Sequence, residues 1–546
     1  MTIGEKIVYL RTAAGLSQEQ LADALDVSRQ SISKWEMNQS EPRIRKILQM
    51  CEMFKVNAND LLDDSAEVQP VAGLTVQENR AAFKGKYFGT DGFRGEVNVR
   101  LTSQHAFMVG RFLGWYYANA LSGCRERNYR PRVVIGKDTR LSSYTLEYAI
   151  AAGITASGAD AYILHVTTTP SVSYVTRNEN FDCGVMISAS HNAYMDNGIK
   201  LINRAGEKMD EATLALVECY LDGNLEPLGI EGDDLPLARQ GNIGAIHDHV
   251  AGRNRYIAYL ISLAQHSYRE LRIGLDCANG ASWMIAPAVF EALGAKTYIM
   301  NAEPNGRNIN ENAGSTHIEH LCKFVCDNNL DMGFAFDGDA DRCIAVDDKG
   351  NEINGDHIMY ILAKRLKARN NLDKNMVVTT VMSNAGLFQA LEKDGIESVQ
   401  TAVGDRFVHE CMRENGYMLG GEQSGHIIIS KYATTGDGIL TALMLVEEVL
   451  DRKTSLSKLA APVTILPQVL KNIRVTSKPE TLQDPEVQKR AAEIQSMLSG
   501  KGRLLLRESG TEPVIRVMVE AQNTETCEEL VDLLIDCIRE RGFEQK

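Results

Sequence analysis

The stretch Cys183–Ile202, CGVMISASHNAYMDNGIKLI, holds three side chains that could carry out chemistry together. Ser190 stands directly before the imidazole of His191, and Lys200 follows further along the same stretch. A serine hydroxyl reacts only with help from such neighbours, because its own pKa is too high, so the combination suits nucleophilic or phosphoryl-transfer chemistry. A polar loop between two sheet elements explains the same residues, and this stretch alone leaves both interpretations open.

A second cluster consists of three carboxylates, Asp337, Asp339 and Asp341, which alternate with small residues. Carboxylates this close repel one another, and a bound divalent cation is the usual remedy. A calcium-binding EF-hand loop is excluded, because its sixth position must be glycine and here it is Arg342. The cluster therefore predicts a Mg²⁺ site with oxygen ligands, against the alternative of a solvated loop.

Three further loops combine glycine with groups that bind phosphates or sugars. Arg94 lies in KYFGTDGFRG, where an arginine can spread positive charge over phosphate oxygens. Glu422 and Ser424 stand between glycines, where backbone can approach a ligand closely. No GxxxxGK[ST] P-loop is present, and each loop taken singly could be a surface turn. The third loop, near the C-terminus, offers hydroxyls, a glycine amide and two arginines, which together predict a phosphate-binding site. Its residues are Arg507, Ser509, Gly510, Thr511 and Arg516.

The elements that would position these residues follow an α/β pattern. The apolar run Val185–Ile187 predicts a buried strand of a parallel sheet that ends at the Ser190 loop, where open α/β sheets bind ligands. The pair Asn197–Gly198 predicts a turn before Lys200. Strand and helix patterns then alternate through three series, and a smaller α+β segment starts at about Pro462. The strands expected to open the three series are Arg132–Gly136, Arg272–Asp276 and Asn375–Val381.

The motif SASHN followed by DNGIK resembles the phosphoserine loop of the α-D-phosphohexomutases. Five motifs stand in that family's order from about Lys86 onward. The resemblance implies that Ser190 carries the phosphoryl group and that an oxygen of its phosphate binds Mg²⁺ together with the three aspartates. One departure is Ala193, which stands where the family usually has proline and loosens the restriction on φ. The implied metal ligands are Ser190, Asp337, Asp339 and Asp341.

The same resemblance implies roles for the other candidate residues. Arg94 is expected near the transferring phosphate, and His191 and Lys200 are candidate acid/base groups. The implied substrate-binding residues are Arg342, Glu422, Ser424, Arg507, Ser509, Gly510, Thr511 and Arg516.

The sugar-binding motif GEQSG resembles the branch of the family that acts on glucosamine phosphates, whereas phosphomannomutases more often have methionine where Gln423 stands. This implies interconversion of glucosamine 6-phosphate and glucosamine 1-phosphate through a phosphoserine enzyme and a bisphosphate intermediate. Two alternatives stay open. One is phosphomannomutase or phosphoglucomutase activity, and the other is a transcription regulator whose mutase portion senses a sugar phosphate.

The N-terminal segment is a separate helical module. GLSQEQLADALDVSRQSISKWE resembles the helix-turn-helix of phage-repressor-like proteins, with Ile32 and Trp35 expected in its core. Through Leu62 the segment has eight basic and eight acidic residues. A single copy would therefore have only weak non-specific affinity for DNA. The alternative is a helical module that binds a protein. The expected DNA contacts are Gln18, Arg29, Gln30, Ser33 and Lys34.

The fold expected is therefore α/β, with an all-α helix-turn-helix domain before a four-domain phosphohexomutase. Three of the four domains would be α/β with mixed sheets, and the smaller C-terminal one α+β. The expected bounds are 1–62 for the helix-turn-helix, 63–85 for a linker, 86–245 for the phosphoserine-loop domain, 246–355 for the metal-binding domain, 356–460 for the sugar-binding domain and 461–546 for the phosphate-binding domain.

The composition fits a globular protein, with 24% charged and 44% hydrophobic residues. A net charge of −14 argues against a whole-chain polyanion binder. Neither an export signal nor an apolar run long enough for a membrane is present. The 11 cysteines are scattered, with only Cys322 and Cys326 closely spaced. These features predict a cytoplasmic protein with reduced thiols and no membrane partner, and we expect the enzyme portion to form a homodimer.

Overall fold

A computed structural model gives the architecture of the chain. It describes residues 85–89, 91–120, 129–498, 500, 502–508 and 514–545, and in the N-terminal segment residues 2–13, 18, 21–22, 25, 27, 29–37, 42, 46–47, 50 and 53–54. Most of the expected linker, residues 63–84, and the end of the expected helix-turn-helix domain, residues 55–62, lie outside these residues.

The N-terminal segment contains helices α1 (Ile3–Ala13) and α2 (Arg29–Glu36), with further helical residues at 18, 21–22, 46–47, 50 and 53–54. Ile32 and Trp35 of α2 are buried against Ile7 and Leu10 of α1. The expectation that these two residues face the core is confirmed.

Four β-sheets follow along the described chain. We call each sheet with its helices a unit and number the units one to four in chain order. In the first unit the sheet order is β1-β2-β6-β5-β3-β4-β7, where β3, β4, β5 and β7 run parallel and β1, β2 and β6 form an antiparallel edge. Its strands are β1 (Phe88–Gly89), β2 (Gly92–Glu96), β3 (Arg132–Lys137), β4 (Asp160–Val166), β5 (Cys183–Ile187), β6 (Asp196–Ile202) and β7 (Ile246–Asp248). Its helices are α3 (Ser103–Ala120), α4 (Ser143–Ala156), α5 (Thr169–Asn178) and α6 (Glu211–Leu221).

The second unit has five strands in the order β12-β11-β10-β8-β9, and β10 is parallel to β8 but antiparallel to β11. Every residue of β10 is buried, as expected for a strand that is covered on both faces. Its helices are α7 (Val250–Leu263), α8 (Ile285–Ala292) and α9 (Glu319–Asp327), and its strands are β8 (Arg272–Asp276), β9 (Lys296–Met300), β10 (Met332–Phe336), β11 (Cys343–Val346) and β12 (Glu352–Ile353).

The third unit has four strands in the order β14-β13-β15-β16, with only β16 antiparallel. Most buried apolar residues of the second and third units belong to one continuous cluster, so these two sheets share a core. Its helices are α10 (Gly355–Ala368), α11 (Ala385–Lys393), α12 (Asp405–Asn415), α13 (Gly438–Arg452) and α14 (Leu456–Ala460), and its strands are β13 (Met376–Thr380), β14 (Glu397–Thr401), β15 (Leu419–Gly421) and β16 (Ile427–Ile429).

The fourth unit is an antiparallel sheet of order β17-β19-β18 packed on helices. Its connection to the third unit is held by Asn384, whose side chain donates to the carbonyl of Leu466 at 3.0 Å and accepts from the same residue's N–H at 2.9 Å. The elements are β17 (Gln468–Arg474), α15 (Lys478–Gln483), α16 (Pro485–Met497), β18 (Arg503–Glu508), β19 (Val514–Glu520) and α17 (Thr524–Glu540).

The structure corrects two expectations about the serine stretch. The predicted turn at Asn197–Gly198 is wrong, because both residues lie inside β6. A Cβ at Gly198 would lie 2.4 Å from the carbonyl oxygen of Ser188, so this glycine allows close packing and forms no turn. In addition, β5 is parallel to β3 but antiparallel to β6, which makes its sheet mixed. The expected class, α/β units with mixed sheets and an α+β unit at the end, is confirmed.

Candidate active site

Ser190 lies in the loop between β5 and β6 and is buried. Its backbone has φ of 52°, in the left-handed region that side chains other than glycine rarely adopt. Such a conformation persists only when the surrounding structure holds it. The loop is therefore a place where positioning contacts matter.

Two side chains from different units hold this loop by its carbonyl oxygens. Arg140 of the first unit donates to the carbonyls of Ser190 at 3.0 Å and Asn192 at 2.8 Å, and its Nε pairs with Asp138 at 2.8 Å. Asn310 of the second unit donates to the same two carbonyls at 2.8 and 3.0 Å. Both donors are buried. The Ser190 loop is thus clamped from both sides of the boundary between the two units.

The three aspartates lie beside the serine. Ser190 Oγ donates to Asp337 Oδ2 at 2.5 Å, and one carboxylate oxygen each of Asp337, Asp339 and Asp341 lie within 4.8 Å of one another. Burial and the carboxylates of Asp341 and Asp339 raise the pKa of Asp337 well above its usual range. Within the described residues, Asp339 Oδ1 and Asp341 Oδ1 are buried without a hydrogen-bond partner. Buried, unpartnered carboxylate oxygens are the ligands that Mg²⁺ takes, so the residues fit this ion.

Lys200 faces the same carboxylates from β6. Its Nζ lies 2.6 Å from Asp339 Oδ2 and 3.0 Å from Asp341 Oδ2. Burial alone would lower the pKa of Lys200, but the two carboxylates raise it above its ordinary value. Although burial opposes the effect, nearby positive charge, first that of Lys200 and then that of His426 and Arg342, lowers the pKa of Asp341 to about 2. Lys200 is therefore held as a cation beside the acidic cluster.

The imidazole of His191 also lies beside the serine hydroxyl. Its Nδ1 is 3.3 Å from Ser190 Oγ and 3.3 Å from Arg342 Nη1. Burial, followed by the positive charge of Arg342 and Arg94, lowers the pKa of His191. The ring is consequently neutral near pH 7, with a nitrogen available to accept a proton.

Arg94 lies in β2, opposite Gly198 of the neighbouring strand β6. Its Nη2 is 3.3 Å from Asp91 Oδ2, and its Nε is buried without a partner in the described part of the chain. In the third unit, Glu422 is half-buried and accepts from the N–H of Gly404 at 3.1 Å, while Ser424 is exposed. Arg94 can therefore donate hydrogen bonds to a ligand, and the carboxylate of Glu422 can accept them.

The candidate phosphate-binding site includes a pair of like charges. Arg507 of β18 and Arg516 of β19 stand directly opposite each other in the antiparallel register. Burial and the charge of Arg516 lower the pKa of Arg507. Two half-buried guanidinium groups at facing positions of neighbouring strands repel each other, and a bound anion would relieve the repulsion. The predicted residues Ser509, Gly510 and Thr511 lie outside the described residues.

Four sequence profiles cover most of the chain. Those described as phosphoglucomutase/phosphomannomutase, alpha/beta/alpha domains I, II and III, match residues 85–226, 254–350 and 354–464, and the C-terminal domain of that family matches residues 470–536. The chain belongs to the phosphoglucomutase/phosphomannomutase family. A helix-turn-helix profile matches residues 7–61.

Relatives in this family include phosphoglucosamine mutases. That of Lachnospira eligens is 60% identical over 459 residues, which cover 84% of this chain and 99% of the relative. The phosphoglucosamine mutase of Bacillus subtilis is 46% identical and is covered completely, again over 84% of this chain. The catalytic portion therefore resembles these relatives along their whole length, and the N-terminal segment is additional to it.

Solved phosphohexomutase structures share the fold. A Burkholderia thailandensis phosphoglucomutase/phosphomannomutase family protein has a TM-score of 0.68 at 23% identity, covering 84% of this chain and 97% of that one. An Aspergillus fumigatus N-acetylphosphoglucosamine mutase, solved with GlcNAc-6P and magnesium, has a TM-score of 0.58 at 18% identity, covering 84% and 96%. At these identities the likeness concerns the fold alone.

Sequence reasoning missed several residues of the family's catalytic portion that the structure brings to this site. Arg140 and Asn310 bind backbone carbonyls, which leave no signature in the sequence. His426 follows the predicted sugar loop and is buried, with Nε2 3.4 Å from Asp405 Oδ2. Its position inside GEQSGH was the signal that could have identified it.

The candidate DNA contacts on α2 are only partly described. Arg29 and Lys34 are exposed, Ser33 is half-buried, and the side chain of Gln30 lies outside the described residues. The amide of Gln18 donates to Glu36 Oε2 at 2.6 Å.

In the described part of the chain no helix is long and apolar enough to cross a membrane.

Proposed function

We propose that the enzyme portion interconverts glucosamine 6-phosphate and glucosamine 1-phosphate. The observation that carries this proposal is the position of Ser190 Oγ, 2.5 Å from Asp337 within the acidic cluster. The substrate class is supported by the phosphoglucosamine mutase of Lachnospira eligens at 60% identity and by the motif GEQSG. The cytoplasmic location and the domain bounds given above stay predictions that accompany this proposal.

The reaction begins from phospho-Ser190. The O1 hydroxyl of glucosamine 6-phosphate attacks the phosphorus, the bond between phosphorus and Ser190 Oγ breaks, and the hydroxyl proton passes to a base, for which the neutral His191 is placed. The resulting bisphosphate turns around, Ser190 Oγ attacks the phosphorus on O6, and the bond between that phosphorus and O6 breaks. The base returns its proton to O6, which leaves glucosamine 1-phosphate. Arg94 and Lys200 supply positive charge next to the phosphoryl group.

Asp337, Asp339 and Asp341, with an oxygen of the serine phosphate, would hold Mg²⁺. The ion would neutralise charge that develops on the transferring group. The non-reacting phosphate would be held by Arg507, Arg516 and the loop residues Ser509, Gly510 and Thr511. Glu422 and Ser424 would bind sugar hydroxyls, and Arg342 would bind the substrate beside His191. Binding at a distance from the reacting atoms fixes the substrate for attack.

A coupled assay tests the proposal with glucosamine, glucose and mannose phosphates compared at equal concentration. We expect the highest kcat/KM for the glucosamine phosphate. Peptide mass mapping should find phosphate on Ser190, and Ser190→Ala should lose nearly all turnover. Wild-type turnover in Ser190→Ala, or a clear preference for mannose or glucose phosphate, would contradict the proposal.

We further propose that the N-terminal segment binds DNA as part of a homodimer. The supporting observation is the exposure of Arg29 and Lys34 on α2, in a segment that matches a helix-turn-helix profile. Such domains usually read two half-sites, and two linked copies bind far more tightly than one. The enzyme portion would then link the copies, and a sugar phosphate would be the natural effector.

Selection of bound DNA from a random pool by the full chain tests this second proposal. We expect a palindromic site, weaker binding by Arg29→Ala, and a dimer in analytical ultracentrifugation. The chain that lacks residues 1–84 should keep its mutase kcat, because every catalytic motif follows Lys86. Enrichment of no sequence would mean that the segment binds a protein partner.

A further inference from the structure

A chain of alternating charges crosses from the first unit to the third beside the candidate active site. Lys208 is at its middle, with Nζ 3.1 Å from Asp91 Oδ1 and 2.6 Å from Asp405 Oδ2. Asp91 belongs to the loop before Arg94, and Asp405 begins α12 of the third unit. Lys208 therefore joins two carboxylates that belong to different units.

Both ends of this chain of charges reach residues of the site. On one side Asp91 pairs with Arg94 at 3.3 Å, and on the other Asp405 lies 3.4 Å from His426. The residue before Asp405, Gly404, donates its N–H to Glu422. The position of Lys208 is thus coupled to Arg94 at the phosphoryl group and to the loop that carries Glu422.

The turn before Lys208 fixes the position of this residue. It follows a tight turn after β6 in which the N–H of Asn203 donates to Glu207 O at 2.8 Å, and a backbone bridge pairs Lys208 with Ile202. The same turn contacts the third unit at Thr434, whose hydroxyl donates to Gly206 O at 2.9 Å. A cavity of about 250 Å³, lined among others by Lys208, Asp405 and His426, adjoins the contact. Polar groups, rather than an apolar core, set how these units meet here.

We propose that Lys208 is a positioning residue that sets the sugar-binding loop of the third unit relative to Arg94 and Ser190 of the first. The ammonium attracts both Asp91 and Asp405, so both carboxylates stay next to it and keep the two units in register. Without it, two carboxylates would face each other, Asp91 would turn fully towards Arg94, and Asp405 towards His426. This inference rests on the proposed mutase function.

The kinetic test compares Lys208→Met, Lys208→Arg and Asp405→Asn in the full chain. We expect Lys208→Met to raise KM for glucosamine 6-phosphate and to lower kcat/KM by about tenfold or more, because a charged hydrogen-bonded group is removed. Lys208→Arg should stay within about threefold of wild type, since it keeps the charge. The double variant Lys208→Met/Asp405→Asn should lose no more than either single variant, which shows that the two residues act together.

Arg413→Met is the matched control, because Arg413 also reaches across this interface, to Glu207 at 3.7 Å, from an exposed side chain. Its kinetics should stay near wild type. A kcat/KM of Lys208→Met within twofold of the control, a fall in kcat with KM unchanged, or losses that multiply in the double variant would each overturn the proposal.

Hydrogen exchange measures the bridge without relying on activity. In Lys208→Met, peptides that cover residues 203–210 and 404–410 should exchange faster than in wild type and in Arg413→Met, with the sheets unchanged. If wild type shows no mutase activity, the proposed function fails, and the exchange result still decides whether Lys208 holds the two units together. Unchanged exchange in both peptides would mean that it does not.

Discussion

Asn310 offers a direct test of the clamp on the serine loop. Its side-chain amide donates two hydrogen bonds, at 2.8 Å to the carbonyl of Ser190 and 3.0 Å to that of Asn192. Each neutral hydrogen bond is worth about 1 kcal/mol net. If both serve to place Ser190 for attack, Asn310→Ala should lower kcat/KM by about thirtyfold, which corresponds to about 2 kcal/mol.

The substitution also changes the backbone preference, and a control must account for that. Asn310 has φ of 59°, a conformation that asparagine tolerates better than alanine. Asn312, in the same loop, has φ of 48° and is exposed. Asn312→Ala therefore carries the same backbone cost without touching the serine loop, and the ratio of the two variants isolates the clamp.

The assay is single-turnover transfer from phospho-Ser190 to glucosamine 6-phosphate, followed by quenched flow, with thermal midpoints measured in parallel. We expect transfer to be slow in Asn310→Ala and near wild type in Asn312→Ala, at similar midpoints. Equal transfer rates in the two variants would refute the view that Asn310 positions the serine.

Three further predictions follow from the site and its surroundings. Chelation should abolish turnover of the wild type, and added Mg²⁺ should restore it. The variant Asp337→Asn should stay inactive with Mg²⁺. Its thermal midpoint without metal should exceed that of the chelated wild type, because one repelling carboxylate is gone. Arg507→Met should raise KM about tenfold without lowering the midpoint, since it removes repulsion from Arg516; an unchanged KM would exclude this residue from phosphate binding. Burial raises the pKa of Asp356 to about 7, so the folded protein keeps a proton that the unfolded chain loses near pH 4, and stability falls as the pH rises between these values. The midpoint of Asp356→Asn relative to wild type should therefore be higher at pH 8 than at pH 5, and a constant difference would contradict the assignment.

Local sequence patterns were sufficient to predict individual strands. The strand Arg272–Asp276 is observed with the same bounds, because a run of apolar residues between polar ones marks a buried strand. Asn197–Gly198 was misjudged because its glycine serves close packing against Ser188, and the residue types are those of a turn. Local pattern does not distinguish these two uses of glycine.

The acidic cluster and the serine motif were recognisable because their reactive groups are close in sequence, and the structure brings them together. The roles of these residues stay predictions. Contacts between units were invisible by comparison: Lys208 and Asp405 are 197 positions apart, and neither stands out by type. Arg140 binds carbonyl oxygens that every residue has, so only the folded chain shows which ones it selects.

The paired hydrogen bonds between Asn384 and Leu466 also determine how the fourth unit can move. One side chain binds both the N–H and the C=O of a single residue, so the connecting segment is fixed at Leu466, just before β17 begins at Gln468. Other contacts between these two units form one network: Arg503 donates to the carbonyl of Ser383 and pairs with Glu520, and Glu520 accepts from the N–H of Ala385. A rotation of the fourth unit about Leu466 would therefore have to break the contacts of Arg503 and Glu520 with the third unit together.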